Sequence, residues 1–347
     1  MKVVSLFSGA GGLDKGFEEA GFKVPWANEY DKAIWATYER NFPKTHLETR
    51  SIVEVEASDL PGVDGFIGGP PCQSWSEAGA ARGIDDKRGQ LFFEYLRLVE
   101  EKKPLFFLAE NVSGILFSKH NKALEQILSN FSRLGYNVSF GLLNSADYGV
   151  PQDRQRVIIV GYQTHVGKFF RPPISEKTKV TLRQAIFDLR DNPVPAISGT
   201  YANPKVTVPN HEYLEMGFSS MFMSRNRVRS WDEQSFTIQA GGRHAPLHPQ
   251  APKMVLVDKD KRIFEKGSEH LYRRLTVREA ARVQTFPDDH IFIYKNVADG
   301  YKMIGNAVPV KFAKALASAI KKDLRGFERQ VGKLKPGVIK HFDELSA

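Results

Sequence analysis

Short apolar runs rich in β-branched residues alternate with amphipathic stretches through the first half of the chain. Val3 to Phe7 reads as a strand, about Leu13 to Ala20 as a helix, Val24 to Ala27 as a strand, Asp31 to Asn41 as a helix, and Val63 to Ile67 as a strand. The alternation continues with a helix over Arg88 to Lys102, a buried strand over Leu105 to Ala109, a helix over Ala123 to Leu134 and a strand over Val157 to Val160. Such alternation lays successive strands parallel, with helices on both faces, which predicts an α/β fold with a mostly parallel, doubly wound sheet.

The texture changes over residues 191–296. Prolines are scattered, strands are short, and Arg, Asn, Gln and Gly concentrate between Ser224 and Arg243. This predicts a second, smaller and loop-rich domain. Amphipathic periodicity returns in a helix over Pro309 to Lys322, so residues 297–325 are expected to complete the domain begun by residues 1–190. Residues 326–347 read as a polar, peripheral tail. No internal repeat is visible.

Composition narrows the class. The chain has 347 residues, 41% of them hydrophobic and 11% aromatic, enough for a substantial core. A single cysteine excludes an intrachain disulfide and a Cys-based zinc site, and no metal is expected. The N-terminus runs straight into a strand-like stretch, and no apolar run approaches the roughly 20 residues needed to span a bilayer. The cytoplasm is the expected location. A net charge of +9 favours a polyanionic partner, with a basic enzyme lacking such a partner as the alternative.

The first strand feeds Phe7-Ser8-Gly9-Ala10-Gly11-Gly12-Leu13, where glycines allow a tight turn and close approach of the backbone to a ligand. A dinucleotide fingerprint would place a third glycine where Asp14 stands, so an uncharged or zwitterionic ligand fits better than a pyrophosphate. Glu29, after the second strand, is spaced to accept from ribose hydroxyls, and Tyr30 could stack on an adenine. The bland alternative is a structural turn beside a surface carboxylate. The lone cysteine sits in Gly68-Gly69-Pro70-Pro71-Cys72-Gln73-Ser74, at the end of an apolar segment. A thiol there is either a nucleophile or an inert buried group.

Taken together, these elements resemble the DNA cytosine-5 methyltransferases from Phe7 to Lys322. The motifs that carry the resemblance are the loop at Phe7 to Gly12, Pro70-Pro71-Cys72-Gln73, Glu110-Asn111-Val112, Gln152-Asp153-Arg154-Gln155-Arg156, Arg274-Leu275-Thr276-Val277-Arg278-Glu279 and Gly305-Asn306-Ala307-Val308-Pro309. Ser74-Trp75-Ser76-Glu77, Met223 to Arg229 and Leu247 to Pro252 bring it nearer the HaeIII-type bacterial enzymes that modify GGCC.

The resemblance implies an S-adenosylmethionine-dependent methyltransferase fold with a target-recognition domain. It assigns S-adenosyl-L-methionine to Phe7, Ser8, Gly9, Gly11, Gly12, Leu13, Glu29, Tyr30, Ser51, Ile52, Pro70, Leu91, Asn306 and Ala307. Cys72 would attack cytosine C6, and Glu110, expected on the loop after its strand, would hold a proton at N3. Arg154 is expected to clamp the cytosine carbonyl; Arg156 either helps it or holds Glu110. Ser76 and Arg82 would contact the DNA around a flipped base. Arg225, Arg227 and Arg229 alternate and would share one face, with Gln239 and Arg243 near them in sequence, as readers of guanine edges or as phosphate contacts. The family usually has an aspartate beside the adenine where Ser51 stands. A monomer acting on double-stranded DNA is implied, with a restriction endonuclease as a possible counterpart on the same site. The rivals are a tRNA-modifying relative, which carries a second motif cysteine absent here, and a noncatalytic DNA-binding relative.

Overall fold

The computed structural model describes residues 1–71 and 91–345. In chain order its catalytic half contains β1 (Lys2–Leu6), α1 (Gly12–Glu19), β2 (Lys23–Asn28), α2 (Lys32–Asn41), β3 (His46–Glu48), β4 (Gly65–Gly68), α3 (Leu91–Lys102), β5 (Phe106–Val112), α4 (Asn121–Arg133), β6 (Tyr136–Asn144) and β7 (Gln155–Gln163). There follow α5 (Leu182–Ile186), β8 (Val194–Pro195), β9 (Glu212–Tyr213), α6 (Ser220–Met223), β10 (Val255–Asp258), β11 (Lys261–Ile263), α7 (Val277–Val283), α8 (Val297–Asn306), α9 (Val310–Asp323) and β12 (Ile339–His341).

Eight strands form one sheet in the order β12-β6-β7-β5-β4-β1-β2-β3. The pairs β3-β2, β2-β1, β1-β4, β4-β5 and β12-β6 are parallel, whereas β7 runs against both β5 and β6. Strand β4 and the Phe106 to Ala109 part of β5 are apolar runs because helices cover both their faces. On one face Phe66, Tyr95, Phe107, Phe131 and Tyr136 pack with α3 and α4; Phe107 and Phe131 stack with centroids 3.9 Å apart. On the other, Phe17 of α1 meets Phe312, Ala313 and Leu316 of α9. A Cβ on Gly16 would lie 2.4 Å from that of Ala313, so α1 and α9 touch backbone to backbone. This close packing is why residues 310–323 belong to the core of the N-terminal sheet.

Two expectations change. The strand expected to stop at Ala109 runs on to Val112, which puts Glu110 inside β5 and not on a loop after it. The C-terminal segment is no loose tail: β12 pairs with β6, a Cβ on Gly337 would collide with the Tyr136 carbonyl, and Phe342 and Leu345 are buried in the α1-α9 core. Its few apolar residues sit among many charged ones, which hid a three-residue edge strand from periodicity.

Residues 191–296 have little regular sheet beyond the β10-β11 hairpin and the short β8-β9 pair. Their own core is small, built from Phe222, Val228, Leu247, Ala251, Met254 and Tyr272. A larger apolar cluster joins Ala10, Ile34, Leu182 and Ile186 to Leu214, Ile238, Leu275, Tyr301 and Val310, so the expected boundaries near residues 190 and 297 cut through a shared core. Among the described residues no helix is long and apolar enough to cross a membrane.

Candidate active site

The parallel strands end on one side of the sheet, and a cleft of about 1700 Å³ opens there. Its floor is the β1-α1 turn. Phe7, Gly9 and Gly11 all have positive φ, at 55°, 56° and 81°, and a Cβ on Gly11 would strike the Phe42 ring. A Cβ on Gly12 would lie 2.3 Å from the Val308 carbonyl, so the turn after α8 presses directly on the start of α1. Asp14 braces this turn from below. It is fully buried, accepts from Ser5 Oγ and Tyr38 Oη at 2.5 Å each, and burial raises its pKa to about 7.

Phe7, Ser8, Gly9, Gly12, Leu13, Glu29, Tyr30, Ser51, Ile52, Pro70, Leu91, Asn306 and Ala307 all line the cleft. Gly11 does not; it shapes the turn from behind. Glu29 differs in detail from its expected use. Its two oxygens already accept from the main-chain amides of Gly9, at 2.9 Å, and Asp31, at 2.7 Å. Burial raises its pKa, and each oxygen keeps a second lone pair for a hydroxyl. Tyr30 is 71% exposed at the mouth, a free ring face beside an apolar wall formed by buried Ile52. Ser8 Oγ is buried in the wall with no hydrogen-bond partner among the described residues. An orphaned hydroxyl, a carboxylate with spare lone pairs and an open aromatic face fit a nucleoside ligand.

At the other end, β5 carries Glu110 into the cleft. Its Oε1 lies 2.8 Å from Arg156 Nε on the antiparallel neighbour β7, and both side chains are largely buried. A Cβ on Gly69 would sit 3.2 Å from Glu110 Oε2, so the chain leaving β4 passes directly over the carboxylate. Asn111 Nδ2 makes a long 3.5 Å contact with the Pro70 carbonyl. Pro71 lines the cleft, and Cys72 is the next residue in the chain. Cys72, Ser76 and Arg82 lie outside the described residues.

Arg154 is not the arginine beside Glu110. It is 1% exposed, and its guanidinium donates to the carbonyls of Ile238 at 3.0 Å, Gly305 at 2.8 Å and Ala307 at 3.0 Å. Burial, and then the charge of Arg156, pull its pKa well below the usual guanidinium value. Arg154 lines the cleft but both its terminal nitrogens donate to backbone, whereas Arg156 is the arginine paired with Glu110.

The recognition half separates its arginines. Arg225 and Arg243 are exposed, and neither side chain has a hydrogen-bond or ion-pair partner among the described residues. Arg227 donates from Nε to the Phe222 carbonyl and from Nη2 to that of Met221, with its guanidinium over the Phe222 ring. Arg229, expected on the same reading face, turns onto Glu233 at 3.2 Å and lies over Phe236. No strand forms here, so the alternation does not produce one shared face. Gln239 is exposed and lines the cleft, together with Thr237, Ile238, Ala240, Gly241 and His244. That the 237–244 segment enters the cleft was not legible from its sequence, because no periodicity marks it. Lys302 was also missed: it bridges Asp31 across the mouth at 2.5 Å.

Solved structures share this architecture. A DNA modification methyltransferase encoded within an E. coli prophage superposes with a TM-score of 0.71 at 24% identity, covering 94% of this chain and 99% of its own. DNMT2 of Spodoptera frugiperda gives 0.66 at 18% identity over 93% and 99%. The fold is thus that of the cytosine-5 methyltransferases. The family model for C-5 cytosine-specific DNA methylase matches residues 1–322, and the chain belongs to that family. It is 55% identical over 329 residues to the Type II methyltransferase M.NgoPII of Neisseria gonorrhoeae, covering 93% of this chain and 96% of the relative. It is 56% identical over 327 residues to M.MthTI of Methanothermobacter thermautotrophicus, covering 94% and 98%. The protein is a DNA cytosine-5 methyltransferase, and its family implies S-adenosyl-L-methionine as methyl donor.

Proposed function

We propose that this enzyme methylates C5 of a cytosine within GGCC in double-stranded DNA, by addition of Cys72 to C6 of a base turned out of the helix. The observation that carries the reading is the Glu110-Arg156 pair lying under the chain that leaves β4 at Gly69, with Cys72 three residues further on in the sequence. Cytosine C5 is a weak nucleophile until a thiolate adds to C6. As the C6–S bond forms, electron density moves onto N3 and O2; Glu110 holds a proton at N3 and Arg156 faces O2, so the ring becomes a neutral enamine. S-adenosyl-L-methionine, when bound by Ser8, Glu29, Tyr30, Ile52 and Asn306, supplies an electrophilic methyl group. Loss of the C5 proton then expels the thiolate and restores both the ring and Cys72. Unpairing the target costs a few kcal/mol; Ser76 and Arg82 belong to the segment that offsets it.

GGCC is read by Arg225 and Arg243, whose free guanidinium forks match guanine O6 and N7, with Gln239 between them and the cleft. Arg227 keeps only Nη1 uncommitted, and Arg229 serves as a buttress. The enzyme acts as a monomer in the cytoplasm, as the modification half of a restriction-modification pair. Bisulfite sequencing of duplex treated with the pure protein is expected to show protected cytosines only within GGCC; protection in another context overturns the site assignment. Arg225→Ala and Arg243→Ala should each lose roughly 1 to 3 kcal/mol on GGCC and far less on scrambled duplex. If they are phosphate contacts, loss is uniform across sequences, and the slope of log affinity against log salt falls by about 0.9 per variant. Arg229→Ala is the comparison and should show neither effect.

Ser51 lines the pocket at the position where an aspartate is usual in the family. Ser51→Asp is expected to tighten S-adenosylmethionine binding by about 1 kcal/mol, the gain of a charge-assisted hydrogen bond to the adenine amino group. Calorimetry of both proteins measures it, and equal or weaker binding by the variant displaces Ser51 from the adenine.

A further inference from the structure

Four segments remote in sequence meet at three side chains that have almost no exposure: Gln152 at 0%, Arg154 at 1% and Gln284 at 0%. Gln152 Nε2 donates to Gln284 Oε1 at 2.7 Å, and its Oε1 accepts from the Ile238 amide at 2.7 Å. Gln284 Nε2 donates to the carbonyls of Ile304, at 2.7 Å, and Ala307, at 3.1 Å. Arg154 donates to Ile238, Gly305 and Ala307. Ile238 is therefore gripped at both its amide and its carbonyl, and the Ala307 carbonyl accepts from two side chains. Ile238 opens the stretch that enters the cleft and leads to Arg243; Ala307 belongs to the turn on the nucleoside side of the cleft; and Arg154 stands two residues before Arg156. A Cβ on Gly305 would lie 2.3 Å from the Gln239 carbonyl carbon, so the end of α8 and the reader segment have no slack between them.

The chemistry of this joint is unusual for a passive one. Among the described residues Arg154 is a buried cation with no ion pair: Nη1 and Nη2 face three carbonyl dipoles, and Nε has no hydrogen-bond partner. Such a charge is costly to bury unless all its acceptors are in place, whereas apolar side chains would join two domains without that condition. The acceptors come from the reader segment and from the cofactor turn at once, and hydrogen bonds of this kind weaken steeply beyond about 3.2 Å. The bonds made by Gln152, Gln284 and the terminal nitrogens of Arg154 require the two segments to keep this relative placement.

We propose that Gln152, Arg154 and Gln284 are positioning residues that couple the two sites: seating the reader segment on its duplex fixes the 304–307 turn, and so strengthens nucleoside binding. The proposal rests on the functional reading above. The test uses the full chain, with S-adenosylhomocysteine titrated calorimetrically alone and in the presence of saturating GGCC duplex. In the unaltered protein the duplex is expected to tighten binding by a factor on the order of 5 to 150. Gln284→Met keeps the side-chain volume and removes the three bonds of Gln284, those to Gln152, Ile304 and Ala307; it should bring that factor down severalfold, with affinity in the absence of DNA staying within about threefold. By reciprocity, the same factor and the same loss must appear in duplex affinity measured with and without S-adenosylhomocysteine. If Gln284→Met does not fold by circular dichroism, Thr237→Val carries the test. It removes only the bond from Thr237 Oγ1 to the Asp153 carbonyl and should reduce the factor severalfold. An undiminished factor in whichever variant is folded overturns the proposal, as does the absence of coupling in the unaltered protein. Failure to bind duplex or S-adenosylhomocysteine at all would instead sink the functional reading.

Discussion

Cys72→Ala abolishes methyl transfer, by roughly 10⁴-fold or more, as expected when a covalent nucleophile is lost. Duplex affinity should survive, because recognition precedes attack and the arginines proposed to read the site, Arg225 and Arg243, lie far from Cys72 in the sequence. The physical case rests on what surrounds the residue before it in sequence. Gly69 passes over the Glu110 carboxylate, the Pro70 carbonyl meets Asn111, and Pro71, which lines the cleft, precedes Cys72 in the sequence. Substituting 5-fluorocytosine for the target cytosine should trap the adduct, since fluorine replaces the proton whose loss frees the thiolate. A denaturation-resistant protein-DNA band is the expected readout; its absence, or an active alanine variant, removes attack at C6 from the mechanism.

Glu110→Gln is expected to slow the chemical step by about 10² to 10⁴, the range for loss of a positioned proton donor. The amide fills the same space and can still hydrogen-bond N3, but it has no proton to give as the ring takes up charge. It also removes the carboxylate from Arg156, whose Nε lies 2.8 Å away, so that arginine should become less ordered as well. Single-turnover methylation at saturating duplex isolates this step from product release. Binding of the duplex should change little; a variant that turns over within tenfold of the parent would leave Glu110 as a mere tether for Arg156.

How far these roles were legible depended on whether a residue's neighbours were close in sequence. The β1-α1 loop, Glu29 and the apolar start of β5 could be read because apolar runs and glycine spacing mark them locally, whereas the polar Glu110 and Asn111 hid the last part of β5, expected as a loop. Arg154 and Arg156 could not be told apart. Both alternate along the same segment, and the difference lies in what each meets: three carbonyls from residues 238 to 307 in one case, a carboxylate on the neighbouring strand in the other. Arg227 and Arg229 failed as free readers for the same reason, since Phe222 and Phe236 capture them through folding that no periodicity announces. The missed β12 is a matter of length: three residues among charged neighbours carry too little pattern to register.

The packing of α9 on α1 and of β12 on β6 also bears on the order in which the protein can be made. The ribosome delivers β1 and α1 first, yet the face of α1 that Ala313 and Leu316 cover, and the edge of β6 that Ile339 pairs, wait for the far end of the chain. Contacts of such sequence separation form late, and an unpaired strand edge invites association with other chains in the interval. The catalytic half therefore stays open throughout synthesis of the recognition half, so a ribosome that stalls within residues 191–296 releases an exposed sheet rather than a working half enzyme.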